Sequence, residues 1–265
     1  MSNIGLFYGS FNPITTIDIK QAISALKTLK LNQVAFVVSN GDNYDHRIRM
    51  IELAIRPYRK LVLFTKKKQG VSYIDLELKE TGLINDTFIC LNKAVAKYCV
   101  LNRLYLKDIV QGRLSKKRFL HCESTANLAK EIADHYKIDP NIAYITGLLH
   151  DYTKELNKDE QLRLIKVYFP KMLDKSPKLY HQYTAMIKVR QDFQIYDRVI
   201  LDAIGNHVNG TDQKRLSKII FCVDKIEDTR GFDNQKLKEL CFNDIDQAFI
   251  KIKSIQQAYL NGGKE

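Results

Sequence analysis

The chain has 265 residues, 45% of them hydrophobic and 27% charged, and no apolar run long enough to cross a bilayer, so one large or two modest globular domains are expected and a membrane partner is not. The formal charge of +12 comes from 42 basic and 30 acidic residues, but a lysine-rich composition produces such a value without any nucleic-acid function. Five cysteines (Cys90, Cys99, Cys122, Cys222, Cys241) form no CxxC pair and lie in apolar contexts, which argues against a disulfide framework and for reduced core residues.

The opening MSNIGLFYGS lacks the basic-then-apolar pattern of an export signal, so a cytoplasmic protein is expected. IGLFYGSFNP reads as a short apolar strand running into a Gly9-Ser10 turn, followed by a helix over 17–29 and a strand over 34–40, a βαβ order. A helix over 46–55, a third strand over 61–65 and a helix over 91–105 with Ala94, Tyr98 and Leu101 on one face complete a small α/β domain on a parallel sheet. From about residue 109 the strand signals stop. Helices are predicted over 119–136, which Asp139-Pro140 ends, then from Pro140 to the pair His150-Asp151. Further helices are predicted over 158–168, 183–190, 197–206, 214–227, 235–241 and 245–261. The fold class is therefore α/β plus all-α, with one domain over 1–108 and a helical one over 109–265.

Only six histidines occur, and His121, His150, His181 and His207 all lie in the helical half, with Asp151 directly after His150 and Asp224 further on. Neutral imidazole and carboxylate together hold iron, manganese or zinc. An adjacent His-Asp pair can place one ligand on each of two neighbouring ions, and a paired site clamps the attacking and leaving oxygens of a phosphoryl group. The chemistry implied is hydrolysis of a phosphate ester or anhydride. The runs Lys66-Lys67-Lys68 and Lys116-Lys117-Arg118 lack the interleaved aromatic platforms that single-stranded nucleic acid prefers. They read as solvated surface, and a nucleic-acid partner is not expected.

Two resemblances sharpen this reading. GLFYGSFNPITTIDIK resembles the opening of nicotinate-mononucleotide adenylyltransferases, Rossmann-like nucleotidyltransferases whose signature is a strand followed by G-S-F-D-P-I-H-x-G-H. DHRIRMIELAI resembles their second helix and NKAVAKYCVLNRLYL their tail. The glycine turn survives, so Gly9 and Ser10 are candidate phosphate contacts through backbone N–H groups. The family's His-x-Gly-His is replaced by Thr15-Thr16-Ile17-Asp18, and Ile74-Asp75-Leu76-Glu77-Leu78-Lys79 stands where S-S-T-x-I-R is expected. Asp18 would repel a triphosphate. Adenylyl transfer is not expected; the domain reads as degenerate and truncated, a scaffold, a dimerisation surface or a residual nucleotide-binding regulator.

From about residue 109 the chain resembles the YqeK-type HD family, whose characterised members are symmetrical diadenosine tetraphosphatases. The motifs run in order: LSKKRFLHCESTANLAKEIA, ITGLLHDYTKEL, LYHQYTA, IGNHVNG and CVDKIEDTRG. The resemblance implies that His121, His150, Asp151 and Asp224 hold one metal, with Asp151 bridging to a second held by His181 and His207. A hydroxide shared by the two ions would be the nucleophile. Lys154 would bind the phosphates or stabilise the leaving group, Arg230 would hold a phosphate bidentately, and Glu227 would orient a ligand or form a surface salt bridge. Members commonly show H-T-T-G where this chain has His207-Val208-Asn209-Gly210. His46 and His135 match no ligand position and are expected at the surface. The expected function is metal-dependent, symmetrical hydrolysis of diadenosine tetraphosphate to two ADP, with a dinuclear cofactor of iron, or manganese in its place. Another nucleotide polyphosphate as substrate, and a homodimer, stay open.

Overall fold

The computed structural model describes residues 2–262, and Cα packing divides the chain into two units, residues 1–99 and 100–265. The first unit is built on β1 (Ser2–Gly9), whose Leu6 and Phe7 are both buried because the strand is interior to the sheet. It pairs in parallel with β2 (Gln33–Val38) on one side and with β4 (Val71–Asp75) on the other, and β2 pairs in parallel with β3 (Leu61–Leu63). The order β3-β2-β1-β4 makes a four-stranded parallel sheet. α1 (Thr16–Thr28) starts at Thr15, whose side chain accepts from the Asp18 N–H while Asp18 accepts from the Thr15 N–H, a capping box. α2 (Tyr44–Ile55) buries Met50, Ile51 and Ala54.

Two details depart from expectation. β4 had no counterpart among the predicted strands, and the helix predicted over 91–105 is α3 (Lys93–Leu101), which ends early and is followed by an unpredicted α4 (Leu106–Arg113). Arg103 and Tyr105 take φ of 56° and 64°, left-handed values that interrupt a helix. α3 buries Val95, Ala96, Cys99 and Val100, while Leu101 is exposed; an apolar helix offers two faces, and packing chose the other one.

The second unit is helical: α5 (Lys116–His135), α6 (Pro140–Leu149), α7 (Lys158–Tyr168), α8 (Tyr180–Phe193), α9 (Arg198–Asn206), α10 (Arg215–Ile226), α11 (Gln235–Asn243) and α12 (Ile245–Leu260). Asp139 caps α6 by accepting from the Asn141 N–H, with Pro140 at the first helical position, where its missing N–H costs nothing. α5 and α6 lie in close contact because Gly147 faces Ala126: a Cβ at Gly147 would stand 2.7 Å from the Ala126 Cα. Phe221, Ile219, Ile220, Ile245 and Phe249 form the core under α10 and α12. Burying each such side chain contributes about 1.5–3 kcal/mol. All five cysteines are free and buried.

Candidate metal centre

The close α5–α6 approach sets His121, on α5, against His150, which caps the C-terminus of α6; their Nε2 atoms are 3.2 Å apart. His181, in the first turn of α8, meets His207, which caps α9, with Nε2 atoms again 3.2 Å apart. Asp151 stands between the two pairs. Its Oδ1 is 3.3 Å from His181 Nε2 and 3.4 Å from His207 Nε2. Its Oδ2 is 3.7 Å from His150 Nε2 and 3.8 Å from His121 Nε2. Asp224, in the last turn of α10, completes the first group with Oδ1 3.1 Å from His121 Nε2 and 3.5 Å from His150 Nε2. All six side chains are buried.

The outer nitrogens fix what the inner ones can do. His150 Nδ1 donates to the Gly147 carbonyl at 2.7 Å, His207 Nδ1 to Ile204 at 2.7 Å and His181 Nδ1 to Lys178 at 2.9 Å. His121 Nδ1 donates to Glu227 Oε1 at 2.9 Å. Carbonyls and carboxylates only accept, so each Nδ1 carries a hydrogen, and in the neutral ring Nε2 turns a lone pair inward. Facing lone pairs 3.2 Å apart repel unless a proton or a metal ion lies between them. Donor atoms bound at right angles to one ion with bonds of about 2.1 Å lie about 3 Å apart, the spacing seen here. Asp151 Oδ1, buried, accepts no hydrogen bond. Three overlapping groups satisfy cation spacing: His121-His150-Asp151, His150-His207-Asp224 and Asp151-His181-His207. The donor set fits divalent metal.

At His121 burial lowers the pKa, but the hydrogen bonds to Asp224 and Glu227 outweigh it and raise it, so positive charge is favoured at that ring. Burial, then the neighbouring His207, pushes His181 down to about 3, which keeps it a neutral ligand. Burial pushes the Asp151 carboxyl up, but His150, His207 and His181 outweigh it and hold Asp151 well below the usual carboxylate range. Glu227 is buried too, and the hydrogen bonds from His121 and Thr229 overcome that burial and bring it down to about 2. It orients His121; it is not a surface salt bridge.

Four cations ring the acids. Lys154 Nζ reaches His181 Nε2 at 3.1 Å from a turn that follows α6, and burial lowers its pKa. Lys225 Nζ is 3.0 Å from Asp224 Oδ2 and 2.8 Å from the His207 carbonyl. Arg230 donates through Nη2 to Asp224 Oδ1 at 2.7 Å and through Nε to the Asp224 carbonyl at 2.8 Å, so here it steadies a ligand. Arg118 corrects the sequence reading. Its charge run suggested solvated surface, yet Nη1 sits 2.8 Å from Asp151 Oδ2. Its position three residues before His121, one helical turn, was the available signal. Lys225, next to Asp224, was also missed. Asn209 bonds Tyr183 and Val208 bonds Gln182. His135 is exposed as expected, whereas His46 is half-buried against the Tyr98 hydroxyl at 2.8 Å. Gly9 and Ser10 lie in the first unit, where Ser10 Oγ donates to Glu80 at 2.9 Å. Beside Lys154 and His181 opens a cleft of about 920 Å³ lined also by Leu156, Leu162, Lys178 and Tyr180.

The HD domain family model matches residues 118–229, a span that contains all six buried His and Asp residues. A symmetrical bis(5'-nucleosyl)-tetraphosphatase of Bacillus subtilis is 31% identical over 155 residues, 57% of this chain and 83% of that protein. The chain belongs to the YqeK-type HD hydrolase family. Among solved structures, an HD superfamily hydrolase from Clostridium acetobutylicum, described as involved in NAD metabolism, superposes with a TM-score of 0.54 at 26% identity, covering 60% of this chain and 88% of that one. A Mycoplasma genitalium protein named "Probable nicotinate-nucleotide adenylyltransferase/Ap4A hydrolase" is 28% identical over 210 residues, 76% of this chain. That share exceeds what residues 100–265 can supply, so the likeness reaches into the first unit. The chain spans 60% of the length of that Mycoplasma relative. Among the described residues no helix is long and apolar enough to cross a membrane.

Proposed function

We propose that this HD hydrolase cleaves diadenosine tetraphosphate symmetrically into two ADP at a dinuclear centre held by His121, His150, Asp151 and Asp224 on one side and Asp151, His181 and His207 on the other. The observation that carries the reading is the division of labour on Asp151, whose Oδ2 faces His121 and His150 while Oδ1 faces His181 and His207. Mixed imidazole and carboxylate ligation without thiolate favours iron, with manganese as the alternative. When bound, such a pair supplies Lewis-acid polarisation of the phosphoryl group and an activated water. Similarity to the Bacillus subtilis tetraphosphatase supports the substrate assignment.

The protein residues contribute charge and position. Arg118 and Lys154 reach the centre through Asp151 Oδ2 and His181 Nε2, where they can meet phosphoryl oxygens as negative charge builds on the leaving ADP. The cleft beside Lys154 carries Lys158 and Lys178 at its polar edge and Leu156, Leu162 and Tyr180 as apolar wall, chemistry suited to a nucleoside with its phosphates. Arg230 and Lys225 hold Asp224, and Glu227 holds His121, so the ligands are set before substrate arrives. The test is metal analysis of the purified protein with product identification on diadenosine tetraphosphate in ¹⁸O-labelled water. ADP as the sole product, with label in half of it, is expected; ATP plus AMP, or no turnover by metal-loaded protein, sinks the reading.

A further inference from the structure

We propose that the Glu80 carboxylate is an internal substitute for a phosphate group in the Gly9–Phe11 turn, which makes the first unit a self-liganded scaffold closed to nucleotide. The turn offers two converging donors, and both go to Glu80: the Phe11 N–H donates to Oε2 at 2.5 Å, and Ser10 Oγ donates to Oε1 at 2.9 Å. A carboxylate that collects a backbone N–H and a hydroxyl directly after a strand, in the turn that leads to the next helix, occupies the position in which βα turns hold phosphate oxygens. Gly9 makes the approach feasible, since a Cβ there would stand 2.7 Å from Glu80 Oε2.

The acid is held in place by its neighbours. The Lys79 carbonyl accepts from Gln21 Nε2 at 3.0 Å, and the Thr81 N–H donates to Asp18 Oδ1 at 2.7 Å. Three consecutive residues, 79, 80 and 81, are thus stitched to α1 and to the turn before it. Asp18 adds a second acid under the turn, fully buried and accepting from the Thr15 N–H at 2.7 Å. Arg47 fixes the turn from behind by donating through Nη1 to the Ser10 carbonyl at 2.8 Å. A triphosphate would have to evict Glu80 and then settle near Asp18, a second acid close enough to feel the charge at Glu80.

The experiment uses the full chain, stripped of metal so that the second unit offers no competing phosphate site, with the Phe11 amide followed by ¹⁵N-phenylalanine NMR. In the wild type this amide proton should resonate far downfield, the signature of a short charge-assisted bond, and should ignore added pyrophosphate and ATP. In Glu80→Ala it should move upfield and then respond saturably to pyrophosphate, at least tenfold more tightly than in the wild type. Glu80→Gln, which keeps the side chain's size and a weaker acceptor, carries the same comparison if the alanine variant fails to fold. A wild-type Phe11 amide that titrates with ATP would overturn the proposal. So would an alanine variant whose amide does not move, or one that moves but never responds to pyrophosphate.

Discussion

Arg118 and Asp151 form an ion pair in the second unit, Nη1 to Oδ2 at 2.8 Å, with Asp151 buried and Arg118 partly exposed. The pair joins the first turn of α5 to the residue that lies between the two histidine pairs. The proposed reaction would give this arginine two successive partners: the aspartate before metal and substrate arrive, and a phosphoryl oxygen afterwards. Replacing Arg118 by Met, which keeps the stem and removes the fork, is expected to lower kcat on the order of 100-fold, the scale for loss of one preorganised donor. Metal content should be unchanged. Equal loss of metal and activity would instead assign Arg118 to holding Asp151 alone.

Asp151→Ala should be the most damaging change at the centre. It removes a carboxylate whose oxygens lie 3.3–3.8 Å from four imidazole nitrogens, so both proposed ion positions would lose a ligand at once. Activity is expected to fall at least roughly 100-fold, with bound metal reduced below two ions per chain. Elemental analysis and steady-state turnover check this, and full activity with one ion would end the bridging assignment.

Glu227→Gln tests orientation separately from ligation. Glu227 is fully buried, accepts from His121 Nδ1 and from the Thr229 N–H at 2.7 Å, and touches no inward-facing nitrogen. The amide can still accept from His121 but cannot match the carboxylate's charge. A loss of about 10–100-fold in metal affinity is expected, of the kind seen when a supporting partner is removed. Competitive chelation should show it for one ion and not the other. Uniform weakening of both ions would mean that Glu227 acts on the fold and not on His121.

Much of this was legible in the sequence, for identifiable reasons. α7 was predicted to its end residues because its apolar positions recur with helical period and Asn157 supplies a cap. The six clustered His and Asp residues were legible because histidine is scarce here and the motifs come in order. β4 was not, since it has only five residues and only Val71 and Tyr73 are even partly buried, too short an alternation to read. Nor was the break after α3, because Arg103 and Tyr105 adopt positive φ without glycine or asparagine to announce it. Arg118 was hidden inside a charge run that resembles surface. Glu80 was hidden by distance: it is 69 residues from the N–H that it accepts, and no local pattern connects them.

Where the chain is cut decides how stable the helical unit is on its own. The sequence places the boundary at 108/109, whereas Cα packing divides the chain at 99/100. A cut at 109 removes most of the first turn of α4, including Leu106, which is fully buried. It also removes the Leu101 carbonyl, which accepts from Asn141 Nδ2 at 2.8 Å, and the Arg103 guanidinium, 4.8 Å above the Tyr144 ring. Loss of one buried leucine costs roughly 2–5 kcal/mol, a large share of the stability of a domain this size. Residues 100–265 are therefore expected to fold, bind metal and turn over diadenosine tetraphosphate within about tenfold of the full chain, or 1.4 kcal/mol of barrier. Residues 109–265 should melt at clearly lower temperature. Thermal denaturation and kinetics of the two fragments decide it: equal stability would show that α4 adds nothing to the hydrolase, and a folded, metal-loaded but inactive 100–265 would show that the first unit takes part in catalysis.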